Sequence, residues 1–149
     1  MTRRVGDFMA RQVHCVGPDT PVSEVVADMC RINIGAVMVV RDGEPVGIFT
    51  ERDLLKRVVG VGLDPKTAPI SVAMTAKVMS VSPEATVEVV AILMHKRGFR
   101  HMPVMDNGAL VGILSVRDVL RALAPEGGVR PSGVGLPPPR KPDAGDDPA

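Results

Sequence analysis

Apolar positions along the chain follow two different periods, and the periods alternate. Val22, Val25, Val26 and Met29 recur at the i, i+3, i+4, i+7 spacing of one buried helix face, which predicts a helix over 22–31. The next run, "AVMVVRDGEPVGIFT", is of another kind: two apolar stretches around Asp42-Gly43. Asp-Gly supplies the positive φ angles of a tight turn, so this run predicts a β-hairpin. A second helix is expected over 51–59. Ahead of the first helix, 13–16 reads as a short strand that Pro18 ends.

The same order returns at a fixed offset. "GIFTERDLL" begins at Gly47 and "GILSVRDVL" at Gly112, and 112 − 47 = 65. At that shift Met9 meets Met74, Val13 meets Val78, Val16 meets Val81 and Pro18 meets Pro83. Val22, Val25 and Met29 meet Val87, Val90 and Met94, and Arg52-Asp53 meets Arg117-Asp118. The register has no gap, which shared helix propensity does not produce, so the chain holds two copies of one unit. Repeat 1 spans 5–59 and repeat 2 spans 70–123. Repeat 2 is expected to carry a strand over 78–81, helices over 87–96 and 116–123, and a hairpin turning at Asn107-Gly108. Thr20 or Ser23, and Thr86, are the expected helix N-caps. Residues 60–69, "GVGLDPKTAP", form the linker. The tail, 124–149, holds half of the fourteen prolines and is expected to be disordered or polyproline-like. A unit of about 55 residues buries too little surface alone. The expected fold is therefore α+β, with two strand-helix-strand-strand-helix units packed together about a pseudo-twofold axis.

Composition narrows the function. The net charge of +1 provides no field for nucleic acid or an anionic membrane. There is no Trp or Tyr, and Phe8, Phe49 and Phe99 are the only aromatics, which leaves almost no stacking platform for bases. "MTRRVGDFMARQ" has no long apolar run after its basic residues, so neither a signal peptide nor a membrane anchor is expected, and the cytoplasm is the expected compartment. Cys15 and Cys30 make no disulfide framework and are read as reduced, small core residues. The nine methionines are read as core filler. His14, His95, His101 and the cysteines lack metal-ligand spacing, so no metal is expected. No nucleophile has a recognisable base beside it and no phosphate-cradling loop is present, so no catalytic residue is assigned and no enzyme is expected.

The chemistry that remains lies in "TERD" and "SVRD". Ser/Thr followed three residues later by a carboxylate is the capping-box pattern, which satisfies free N–H groups at a helix start. On that reading Thr50 and Ser115 are caps, and Asp53 and Asp118 are their partners. The same geometry suits a ligand. A carboxylate at a strand-to-helix junction can accept two hydrogen bonds from a ribose diol, with the adjacent hydroxyl on a ribose or phosphate oxygen. Gly47 and Gly112 would let a backbone approach closely. The pattern alone leaves both readings open.

Two copies of this unit, each ending in Gly-apolar-x-Thr/Ser-x-x-Asp-apolar, resemble the tandem cystathionine-β-synthase (CBS) domain pair, or Bateman module, over about residues 5–123. "GIFTERDL" and "GILSVRDV" both fit that family's ribose-binding pattern. The resemblance implies a stand-alone regulatory module that takes adenosine-containing ligands (AMP, ADP, ATP, S-adenosylmethionine or a dinucleotide) in two clefts between the repeats, with no obligatory cofactor. It implies one site with Thr50 and Asp53 facing Val78, Met79, Phe99, Arg100 and His101. It implies a second with Ser115 and Asp118 facing Val13, His14, Ile34, Gly35 and Ala36. Since "FRHMP" stands where repeat 1 has "IGAVM", the Asp53 site is expected to prefer phosphorylated nucleotides, and the Asp118 site to be weaker or suited to less charged ligands. Members of the family pair through their helices, so a homodimer is expected, with a regulated protein partner that the sequence does not name. The rival expectation is a ligand-free dimeric scaffold that recruits a partner.

Overall fold

The computed structural model describes residues 2–125, 133, 135 and 137–139, and the expected tail, 124–149, lies for the most part outside these described residues. Repeat 1 runs β1 (Cys15–Val16), α1 (Val22–Ile32), β2 (Ala36–Arg41), β3 (Glu44–Thr50) and α2 (Glu51–Asp53), which continues as a π-helical segment, Leu54–Val59. Repeat 2 runs α3 (Val87–Arg97), β4 (His101–Asp106), β5 (Ala109–Ser115) and α4 (Val116–Leu123). The sheets have the orders β1-β2-β3 and β4-β5, and the architecture is α+β as expected. Both hairpins turn on two successive positive φ angles, 51° and 80° at Asp42-Gly43 and 50° and 81° at Asn107-Gly108. Those are the demands of the tight turn that Asp-Gly and Asn-Gly satisfy.

Three local expectations need correction, and each has a residue-level cause. The strand expected over 13–16 is only Cys15–Val16, and the one expected over 78–81 shrinks to a single parallel bridge, Val81 with Val104. In repeat 1 the Met38 N–H donates to the His14 carbonyl at 3.0 Å. Position 38 corresponds to Pro103, which has no N–H to give, so the matching strand cannot extend. The second helices also differ. The Gly60 N–H reaches back five residues to the Leu55 carbonyl at 2.8 Å, and a β-carbon on Gly60 would stand 2.8 Å from that oxygen. The matching position in repeat 2 is Pro125, and α4 stops at Leu123. Finally, Thr86 caps α3 by accepting from the Val89 N–H, but neither Thr20 nor Ser23 caps α1. Its first N–H groups, on Val22 and Ser23, donate instead to the carbonyls of Ala68 and Pro65 in the linker.

The lead-ins change partners. The turn Val5–Asp7 opens repeat 1 but this lead-in hydrogen-bonds repeat 2, with Val5 N–H on Ala85 O, Gly6 N–H on Pro83 O and Val87 N–H on Arg3 O. Val5 and Met9 are buried with Val87, Val90, Met94, Met102, Val104 and Leu114, all of repeat 2. Reciprocally, Ala68, Ile70 and Ala73 are buried with Val22, Val25, Met29, Val37, Val39 and Phe49 of repeat 1. Neither core is complete without a segment from outside its own repeat. A third cluster joins the repeats: Ala36, Met38 and Ile48 pack with Val13 and Val40 on one side and Val78, Leu110 and Ile113 on the other.

Candidate functional site: the cleft between the repeats

Both Ser/Thr-x-x-Asp segments are complete capping boxes. The Thr50 N–H donates to Asp53 Oδ2 at 2.9 Å and its hydroxyl to the same oxygen at 3.2 Å. The Ser115 N–H and hydroxyl donate to Asp118 Oδ2 at 2.9 and 3.0 Å. The strand-to-helix corner is held a second way, by Glu51 N–H on Gly35 O at 3.1 Å and Val116 N–H on Arg100 O at 2.9 Å. Each corner is thereby pinned to the residue just before the first hairpin strand, β2 or β4. This is where the sequence placed its ligand groups.

Gly35 of repeat 1 packs against His101 of repeat 2. A β-carbon there would stand 3.1 Å from Glu51 Oε1 and 3.3 Å from the Cε1 and Nε2 atoms of His101. His101, expected opposite Asp53, stands against Gly35, and the charges acting on it are those of Glu51, Asp118 and Arg100. Burial holds its imidazole below the usual histidine value, the carboxylates of Glu51 and Asp118 draw it back up, and Arg100 pushes it further down. Ser115, Asp118, His101, Gly35 and the unforeseen Glu51 therefore lie together where the repeats pack.

The remaining candidates divide by what they touch. Val13, Val78 and Ala36 belong to the apolar layer between the repeats. Ile34 and Phe99 pack onto the cores of their own repeats. Arg100 and Met79 are exposed. His14 Nε2 lies 3.1 Å from Asp28 Oδ2, and Arg31 donates to the other oxygen of Asp28 at 3.2 Å. These two bonds hold the Asp28 carboxyl below its usual range. Gly47 and Gly112 give close approach, but to the protein itself: β-carbons there would stand 2.5 Å from the sulfurs of Met74 and Met9. Cys15 and Cys30, expected in the core, are both exposed. Among the described residues no three His, Cys, Asp or Glu side chains group as metal ligands, and no helix is long and apolar enough to cross a membrane.

Two cavities lie elsewhere. One of about 330 Å³ is lined by Arg4, Asp7, Arg11, Glu84 and Asp106 among others, and one of about 250 Å³ by Met38, Val46, Lys77, Val78, Pro103 and Met105 among others. Of the expected site residues, only Val78 lines either. Thr75, whose hydroxyl donates to Asp53 Oδ1 at 2.9 Å, was not among the expected residues. Comparing the repeats by residue type would have flagged it, since the 65-residue offset pairs it with Ala10.

The CBS domain family model matches residues 5–60 and 70–125. The chain is 34% identical over 115 residues to the CBS domain-containing protein YhcV of Bacillus subtilis, covering 77% of this chain and 81% of that one. It is similar to the CBS-domain protein ATU1752 of Agrobacterium tumefaciens, with 41% identity, a TM-score of 0.75, and 80% and 98% of the two chains covered. It is also similar to a hexameric CBS-CP12 protein from bloom-forming cyanobacteria, at 30% identity and a TM-score of 0.75, with 80% and 67% covered. With the family model matched twice and the two repeats interleaved, the chain belongs to the CBS-domain family as a tandem pair, a module of the regulatory, ligand-binding type.

Proposed function

We propose that the module senses adenosine-containing nucleotides of the AMP, ADP and ATP class in the cleft between its repeats, and acts by binding rather than by chemistry of its own. The observation that carries this reading is the convergence of Gly35 and Glu51 from repeat 1 with His101 and the Ser115–Asp118 corner from repeat 2. A ligand seated there touches both repeats at once. It would favour whichever repeat arrangement it binds more tightly, which is the only way a ligand moves such an equilibrium. Two copies are proposed to pair through the second helices, where Leu55 and Leu120 are each 64% exposed and Val59 is 68% exposed. The hexameric CBS-CP12 relative assembles with itself, which supports self-association.

Thermal melting against AMP, ADP, ATP, S-adenosylmethionine and NADH tests the ligand. A ligand present at about 100 times its Kd adds about 2.7 kcal/mol to stability. The alternative is a ligand-free dimeric scaffold that recruits a partner protein. It is favoured by the complete capping boxes, which give Asp53 and Asp118 a structural task that needs no ligand. Absence of a melting shift with the whole panel selects the scaffold.

A further inference from the structure

The two Asp corners have the same cap and different remaining capacity. A carboxylate offers about four acceptor positions. In Asp53 four donors are within reach: the Thr50 N–H and hydroxyl on Oδ2 at 2.9 and 3.2 Å, and on Oδ1 the Thr75 hydroxyl at 2.9 Å and Arg57 Nε at 3.4 Å. In Asp118 the Ser115 N–H and hydroxyl fill Oδ2 in the same way, but among the described residues Oδ1 has only Arg121 Nη2, at 3.4 Å. The Asp118 side chain is 16% exposed, against 8% for Asp53.

The difference originates in the lead-ins, not in the helix starts. Thr75 bridges to Ile48 through a pair of backbone bonds of 2.8 and 2.9 Å, and Ala10 bridges to Ile113 through a pair of 2.9 and 3.0 Å. The backbone is placed alike in both repeats, and only the side chain at that place differs. Thr75 brings a hydroxyl to the carboxylate oxygen, and Ala10 brings a methyl group. On the Asp118 side the facing residue is also the small Gly35, where the offset puts Arg100 on the other.

We infer that Thr75 closes the Asp53 corner to a ribose, and that the module takes one vicinal diol per chain, at Asp118. This rests on the nucleotide-binding reading above and reverses the order of sites expected from Arg100 and His101. Oδ1 of Asp118 accepts a ribose hydroxyl on the face that Ala10 leaves free. Asp53 keeps its capping and lead-in bonds whether or not ligand is present.

Calorimetric titration with AMP tests this on the full chain, with 2′-deoxy-AMP as the comparison. The wild type is expected to bind one AMP per chain and to bind the deoxy analogue roughly tenfold more weakly, as loss of a hydrogen bond to a charged acceptor predicts. Ala10→Thr should weaken AMP by a similar factor without lowering the urea midpoint, since it supplies a bond the fold lacks. Thr75→Ala should raise the stoichiometry toward two. Two AMP per wild-type chain, or unchanged affinity in a folded Ala10→Thr protein, overturns the inference while leaving the nucleotide reading intact. So does binding that Asp118→Asn spares and Asp53→Asn removes. If neither the wild type nor Thr75→Ala binds AMP or any of the nucleotide panel, the nucleotide reading fails and this inference fails with it.

Discussion

Gly47 presents a bare α-carbon to Met74: a β-carbon there would stand 2.5 Å from the methionine sulfur and 2.9 Å from the Thr75 carbonyl oxygen. Gly112 and Met9 repeat the relationship, at 2.5 Å to the sulfur and 2.9 Å to the Ala10 carbonyl. The sulfur sits on a flexible side chain and can move. The carbonyl is locked in the bridge that holds the lead-in to β3 or β5. Gly47→Ala and Gly112→Ala should therefore each destabilise by roughly 1–3 kcal/mol, the range for overpacking. Gly17→Ala, whose added carbon meets nothing nearer than 3.9 Å, serves as the control. Urea denaturation of the three proteins decides it, and a Gly47→Ala protein as stable as the control contradicts the packing.

The exchange of lead-ins predicts a response in the other repeat. Val5 is fully buried within the core of repeat 2. Val5→Ala removes two buried methyl groups and should lower stability by about 1–3 kcal/mol. Native-state hydrogen exchange should speed up at Val90 and Met94 of α3 more than at Val25 and Met29 of α1. Faster exchange confined to α1 would show that the lead-in belongs to its own repeat.

His101 gives stability a pH dependence with a definite sign. Its folded-state pKa lies below the ordinary value of 6.5 because burial opposes the charge. Well above that value both states are neutral and the group contributes nothing. As the pH falls through it, the unfolded chain takes up a proton that the folded chain resists, so stability declines until the folded pKa is passed. The melting temperature should drop between about pH 7.5 and about pH 5.5, and His101→Gln should drop less over the same window. Equal slopes would place the imidazole in water.

The two first helices differ in how their starts are held, and substitution should show it. Thr86→Ala removes a side-chain cap and should cost about 1 kcal/mol. Ser23→Ala should cost a few tenths at most, because backbone carbonyls of the linker occupy the N–H groups of Val22 and Ser23. Urea midpoints compare the two, and a larger loss at Ser23 contradicts the linker cap.

Much of this was legible in the residues themselves. Hairpins turning at Asp42-Gly43 and Asn107-Gly108 were readable because positive φ angles are a local demand that few residue types meet. Both Ser/Thr-x-x-Asp corners were readable because a capping box closes within four residues. The strand over 78–81 was misjudged because Pro103, 22 residues beyond Val81 (103 − 81 = 22), withholds the N–H on which it depends. Cys15 and Cys30 were misjudged because apolar character does not say which face of the protein a position occupies.

By itself the sequence determined the duplication, the order of helices and hairpins, the tight turns and the two capped Asp corners. All of these depend on neighbours close in the chain or on matching one stretch with another. Tertiary structure alone decided that Val5 completes the core of repeat 2 and Ile70 that of repeat 1, that His101 stands against Gly35, and that Thr75 brings Asp53 a hydroxyl that Ala10 does not bring Asp118. Those relationships join segments whose separation carries no periodicity. They exist because two units too small to bury their own surfaces exchange lead-ins, and that exchange sets which side chains meet in the cleft.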